Sequence, residues 1–237
     1  MMLSLSWCRS LLLGLVVSSA AIGCGPSIDP AAKADIDARV GRLGRPTQSY
    51  GAPTSFEPMP LAVGQWTEHK LIDQDGQPSF LTYKVVGQEN NAFWLEMAQD
   101  RYTGHTVTKL LMSIGDRRTP SSIVVHAMKM KDKNGRITEL QPEMLSLMGS
   151  LFQGAVSMLV ISWQGQPQED AAAPAGTFPG CYKARTDASW GPWSSASMSW
   201  SHPAVPLSGM VRSVGIDRPN TMELVAFGLS GAVSELP

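Results

Sequence analysis

From residue 61 onward the chain alternates apolar and polar side chains with a period of two, in short blocks closed by turn residues. That period belongs to strands with one face packed and the other wet. The blocks predict strands over 63–72, 80–86, 92–97, 104–113 and 121–130, with 137–140 pairing back. In the fourth block His105, Val107, Lys109 and Leu111 alternate against Thr106, Thr108, Leu110 and Met112. Asp73-Gln74-Asp75-Gly76 and Gly87-Gln88-Glu89-Asn90-Asn91 predict turns. Asn134-Gly135 is a hairpin signal, because both residues tolerate a left-handed backbone.

The pattern changes at residue 141. Gln141-Pro142-Glu143 places a proline and an acid where a helix begins. Met144, Leu145, Leu147, Met148, Leu151 and Phe152 then cover a wide apolar face. Strand character returns over 155–163. A polar, Ala- and Pro-rich loop is expected over 164–175, a strand over 177–185, and a Trp/Gly/Pro/Ser loop over 186–194. Strands over 195–201, 209–215 and 221–227 complete the chain. Successive strands joined by short turns make an antiparallel meander. The expected fold is therefore mainly β: a curled antiparallel sheet, or incomplete β-barrel, with one covering helix.

The N-terminal region has another character. Residues 11–17 form an apolar run of secretory length, too short to anchor a bilayer by itself. Ala21-Ile22-Gly23-Cys24 follows and resembles the lipobox of bacterial type II signal peptides, with Ala21 where Leu is commoner. That resemblance implies removal of 1–23 and acylation of Cys24, the thiol taking a diacylglycerol thioether. At ~0.8 kcal/mol per buried CH₂, two acyl chains suffice for firm attachment. Gly25 after the Cys favours the outer membrane, facing the periplasm, with the cell surface as the other option. Residues 24–60 are rich in Pro, Ala, Gly, Ser and Thr and predict a spacer, apart from a short helix within 31–43. The folded domain is expected over 61–237.

Charge and chemistry narrow the options. Removing Arg9 with the signal from 19 Lys+Arg leaves 18 against 20 Asp+Glu. No basic patch exists for nucleic acid. Cys8 leaves with the signal and Cys24 is acylated, so Cys181 has no disulfide partner and is expected as a small buried apolar residue. His69, His105, His126 and His202 show no zinc spacing. Ser208-Gly209 and Ser230-Gly231 lack the flanks of a nucleophile elbow. Asp73/Asp75 and Glu169/Asp170 sit in expected turns and loops, where solvated charge is the default. No cofactor or metal site is indicated.

Two features suggest binding. Met144, Met148, Leu151 and Phe152 belong to the expected helix, which either plugs the half-barrel or gates it for a lipid, since Met adapts to varied apolar shapes. Trp190, Trp193 and Trp200 form either an exposed aromatic surface or a packed lid.

The runs Val63-Gly64-Gln65-Trp66, Tyr83 to Glu89, Phe93-Trp94-Leu95-Glu96, Val205 to Val211 and Met222 to Gly228 resemble periplasmic β-domains. Their layout is that of the LolA/LolB-like (DUF3108-type) superfamily of lipoprotein carriers. The resemblance covers roughly 61–230. It implies an incomplete barrel around a helix, with an apolar concavity that can hold acyl chains. The expected function is thus a non-enzymatic envelope lipoprotein binding a lipid or amphiphile. The alternative is an assembly lipoprotein that docks another envelope protein through a sheet edge or aromatic loop. A hydrolase without a recognisable motif is the third option.

Overall fold

The computed structural model describes residues 27–55, 57–119, 122–140, 145, 159, 161, 163–190 and 193–237, with backbone only for 187–190 and 193–195. Cys24 and the helix residues Met144, Met148, Leu151 and Phe152 lie outside the described residues.

Eleven strands form a single antiparallel sheet: β1 (Trp66–Ile72), β2 (Pro78–Glu89), β3 (Ala92–Arg101), β4 (Gly104–Ile114), β5 (Ile123–Lys131), β6 (Ile137–Leu140), β7 (Gln168–Ala173), β8 (Gly176–Trp190), β9 (Trp193–Ser201), β10 (Met210–Gly215) and β11 (Thr221–Gly228). The order is β6-β5-β4-β3-β2-β1-β11-β10-β9-β8-β7, so two meanders join where β1 pairs with β11. The ends of the order do not pair with each other, and the barrel stays open.

Register defines the two faces. Leu81, Tyr83 and Val85 stand opposite Gln99, Met97 and Leu95, and Leu95 stands opposite Leu110. These side chains share the concave face and pack with Met112, Met128, Leu145, Leu159 and Leu207. In the second meander the sheet curls until β7 lies against β10 and β11. Ala173, Phe178, Cys181, Val205, Val211 and Leu224 form its core. Cys181 is fully buried, and burial pushes its thiol up to about 12. That chemistry is inert, as expected of a small core residue.

Three expectations are corrected. The loop expected over 164–175 contains β7, whose Gln-Glu-Asp-Ala-Ala-Ala sequence has poor strand propensity. Pairing with β8 imposes the strand, and Lys183 reaches Glu169 at 2.7 Å across the ladder. The loop expected over 186–194 is the top of a β8–β9 hairpin, in register through Trp190 opposite Trp193.

The third correction concerns the spacer: its described part packs on the sheet. Helix α1 (Pro30–Arg42) is capped by Asp29, whose carboxylate accepts from the N–H groups of Ala31 and Ala32. It lies on the convex face with Ile36 buried and the Arg39 guanidinium 3.8 Å over the Phe80 ring. Arg39 also pairs with Glu68 and, at 2.7 Å, with Asp100. Further along, Tyr50 stacks on Phe178 at 4.4 Å and Ser49 bridges to Thr177. Burial of these few side chains outweighs a composition that otherwise suits a free linker. The described helix is thus α1; of the helix expected over 141–152, only Leu145 is described.

The segment after β11 crosses the convex face and completes it. Lys84, Glu96, Lys109 and Lys129 form a row across β2 to β5. Glu96, fully buried, accepts from the backbone of Glu235 and Leu236 and from the Ser234 hydroxyl. Lys109 donates to the Leu236 carbonyl at 2.7 Å. Leu236 seats against Ala98 and Val107.

His105 ties this segment to the α1 anchor, contacting Asp100 at 2.6 Å and Glu235 at 2.8 Å. Partial burial alone would lower its pKa, but the two carboxylates overcome that and raise it. The pKa of Asp100 and Glu235 is depressed: partial burial opposes this, but hydrogen bonds from His105 with Arg39 or Lys84 prevail. A raised folded pKa contributes stability below the unfolded imidazole value of ~6.5 and loses it as pH rises through the folded value. The carboxylates contribute above ~4.5 and lose it as pH falls. The cluster is therefore strongest between ~4.5 and ~6.5. His69 and His202 are buried with lowered pKa, so they favour stability at higher pH and mask the trend in the whole protein. The readout is the loss caused by His105→Gln in urea melts. It is expected to be larger at about pH 5.5 than at about pH 8.5; the reverse order contradicts the assignment.

Candidate functional site

At one end of the sheet the concave face stays open. Leu71 faces Ser79 and Met222 across the ladders, and Met222 faces Ser213. These positions share the concave face with Gln99. The β1–β2, β3–β4 and β10–β11 turns rise around them, and Ser197 of β9 completes the wall. The result is a cavity of about 670 Å³ whose lining also includes Asp73, Gln77, Arg101, Tyr102, Thr103, Asn220 and Thr221.

Its lining mixes neutral polar groups with apolar surface, beside the charged Asp73 and Arg101. Hydroxyls of Ser79, Thr103, Ser197, Ser213 and Thr221 and amides of Gln77, Gln99 and Asn220 surround an apolar floor of Leu71, Pro78 and Met222. Hydroxyls and amides both donate and accept, which suits a ligand dense in hydroxyl or amide groups. The Asp73 carboxylate is engaged in its own turn, accepting from the N–H groups of Asp75 at 2.9 Å and Gln77 at 2.8 Å. The volume is in the range of small-molecule sites.

Deeper in, the concavity is occupied by the chain itself. Leu145, Leu159 and Leu207 pack onto the β2–β5 face among the core residues. One layer below the mouth, His69 is fully buried, donates through Nε2 to the Met210 carbonyl at 3.1 Å, and has its pKa lowered to about 4 by burial. Its Nδ1 and the neighbouring Thr67 hydroxyl have no hydrogen-bond partner among the described residues.

The other sequence candidates are dispersed. Trp200 stands on the convex face, half-buried, between Lys183 at 5.2 Å and Arg212 at 5.7 Å. Trp190 and Trp193 face each other across the β8–β9 backbone, at the far end of the hairpin from Trp200. His202 is buried, with Nε2 donating to the Gly51 carbonyl at 3.0 Å and Nδ1 accepting from Ala204. His126 meets the Ser113 hydroxyl at 2.6 Å. Among the described residues no group of three or more His, Cys, Asp or Glu side chains converges. Sequence reasoning did not single out the cavity lining, because it comes from six strands and no stretch of it is distinctive.

The described residues thus form an open eleven-stranded antiparallel half-barrel with a cavity of mixed polar and apolar lining at its mouth. Among the described residues no helix is long and apolar enough to cross a membrane. No protein-family model matches the chain, and no curated protein matches it. Among solved structures, it is similar to a Bacteroides fragilis protein described as exported and as having a YmcC-like fold. That similarity has 13% identity and a TM-score of 0.35, over 72% of this chain and 98% of the other.

Proposed function

We propose that the chain is a non-enzymatic, lipid-anchored envelope lipoprotein that holds an amphiphile by its polar portion in the mouth cavity. The observation that carries this reading is the division of the concave face. The depth is packed by Leu145, Leu159 and Leu207, while the open 670 Å³ presents hydroxyls and amides beside apolar surface. A fatty chain alone would leave those polar groups unpaired at ~1–3 kcal/mol each. A headgroup of sugar or polyol type satisfies them, while Leu71, Pro78 and Met222 take its apolar side.

Ser79 and Ser213 face the cavity from opposite strands, so Ser79→Trp with Ser213→Trp fills it without touching the core. Protein isolated from envelopes is expected to carry a polyhydroxylated amphiphile detectable by mass spectrometry. The double variant is expected to bind the same compound at least about tenfold more weakly, a loss of ~1.4 kcal/mol. Undiminished binding by the variant, or no bound amphiphile in the native protein, would sink the idea.

A further inference from the structure

We infer that the mouth of the half-barrel faces the membrane carrying the anchor, so that its cavity opens onto the headgroup layer. The inference rests on the acylation of Cys24 put forward above, and it comes from where α1 is pinned.

The N–H of Asp29 donates to the Tyr102 carbonyl at 2.7 Å. The Tyr102 hydroxyl donates to Asp37 at 2.6 Å, and Lys33 lies 4.9 Å over its ring. Tyr102 belongs to the β3–β4 turn and lines the cavity. The start of the described structure is thus fastened to the mouth rim. Only five peptide units separate Cys24 from Asp29, and fully extended they span at most ~18 Å. The opposite end of the sheet lies a strand's length away: β2 runs for 12 residues from the mouth, about 40 Å along the strand. An anchor at residue 24 can bring the mouth to the bilayer but leaves the β2–β3 turn far from it.

The backbone of the β8–β9 hairpin agrees independently. Ser197 pairs with Gly215 at the mouth, where β10 ends. Beyond that level 187–190 pair, among the described residues, with 193–196, making a two-stranded arm. Its base is tied to the β10–β11 turn by bonds between Ile216 and Ala196 and between Ala196 and Asp217. The arm extends from the same end as the anchor and carries Trp190 and Trp193 next to its tip. Tryptophan favours the membrane–water interface. The partner this end fits is a lipid headgroup surface, and the cavity takes its occupant from that layer.

The test uses the full acylated chain in vesicles containing headgroup-nitroxide lipid. One fluorophore is placed at Asp75→Cys in the mouth and, in a second protein, at Asn91→Cys in the far turn; both positions are exposed. Strong quenching at position 75 with little at 91 is expected. A Gly/Ser spacer of about ten residues inserted before Ile28 should abolish the contrast by releasing the geometric constraint. Equal quenching at both positions, or stronger quenching at 91, overturns the orientation. Mass spectrometry of the N-terminal peptide separates the two readings. If Cys24 carries no lipid, the anchor itself fails. The same labelled pair, with Cys24 coupled to a maleimide lipid, still supports or overturns the orientation.

Discussion

Glu96→Ala is expected to lower the unfolding free energy by about 3–5 kcal/mol, the range for breaking a buried charge cluster by removing one partner. Glu96 is the acceptor for two backbone N–H groups, at 3.0 and 3.2 Å, and for the Ser234 hydroxyl at 2.7 Å. Lys84 lies 3.3 Å away with only part of its side chain in water. With Ala the Glu235 N–H has no acceptor while the segment stays docked, and the Ser234 hydroxyl and Leu236 N–H keep only each other's residue, at 2.6 and 3.3 Å. Undocking relieves them but exposes Leu236, Ala98 and Val107, which are almost fully buried. The cheaper of the two outcomes sets the loss, and the second leaves a signature: fast amide exchange at 235 and 236 in an otherwise folded domain. Glu96→Gln keeps an acceptor oxygen but turns an amide NH₂ toward donors, so its loss should fall between wild type and Ala. Denaturant melts and hydrogen exchange check both. A Glu96→Ala protein with unchanged midpoint and protected 235–236 amides would show that the carboxylate does not hold the segment.

Arg117→Ala is expected to lower stability by a similar amount, about 3 kcal/mol, by a different route. Arg117 follows β4 and donates to three carbonyls: Leu159 at 3.1 Å, Met59 at 3.1 Å, and Leu207. Burial lowers its pKa to about 10, so it stays charged at neutral pH. Those carbonyls belong to segments far apart in sequence, and one guanidinium holds them together. Leu207 adds to the load on this knot. It is buried with φ 59°, a backbone conformation that disfavours a leucine. Gly209, at φ 70°, sits against the Trp163 ring, where a Cβ would clash. Arg117→Lys can reach only one carbonyl with a point charge, so it should recover less than half of the loss. The order wild type, Lys, Ala in urea midpoints is the expected result. A Lys variant as stable as wild type would mean that the three-way geometry is not what matters.

Both residues show where sequence pattern stops being informative. Glu96 stands in a clean strand block and reads as a solvent-facing charge. It is buried because residues 232–237 lie across it, and nothing in the local alternation announces that contact. Arg117 sits between two expected strands, where an exposed side chain is the ordinary case. Its partners come from segments remote in the chain. The docking of 27–60 was equally hidden. A Pro- and Ala-rich composition suits a linker, and the only local sign of packing was Ile36, Val40 and Leu43 at helical spacing. Tyr50, the ring that stacks on Phe178, was an isolated aromatic in that stretch.

Most of the strands, by contrast, were visible, although the described residues Leu159, Ile161 and Trp163, within the strand expected over 155–163, are not in one. The first five, the short β6 and the last three fall where alternation and turn residues placed them, with ends shifted by a few residues. β7 was not visible, because an edge strand of Gln, Glu, Asp and Ala takes its conformation from its neighbour rather than from its own side chains.

The sequence by itself determined the class: a period of two, broken by turn residues at short intervals, admits an antiparallel meander and little else. The signal segment before Cys24, read by resemblance, set the expectation of a membrane anchor. Only the tertiary structure decided what the concave face offers, which side chains share the mouth, and where the N-terminal segment is fastened to the sheet. The reason is range. Alternation is a property of neighbours along one strand, whereas the cavity is assembled from six strands whose registers are set by pairing across the whole sheet.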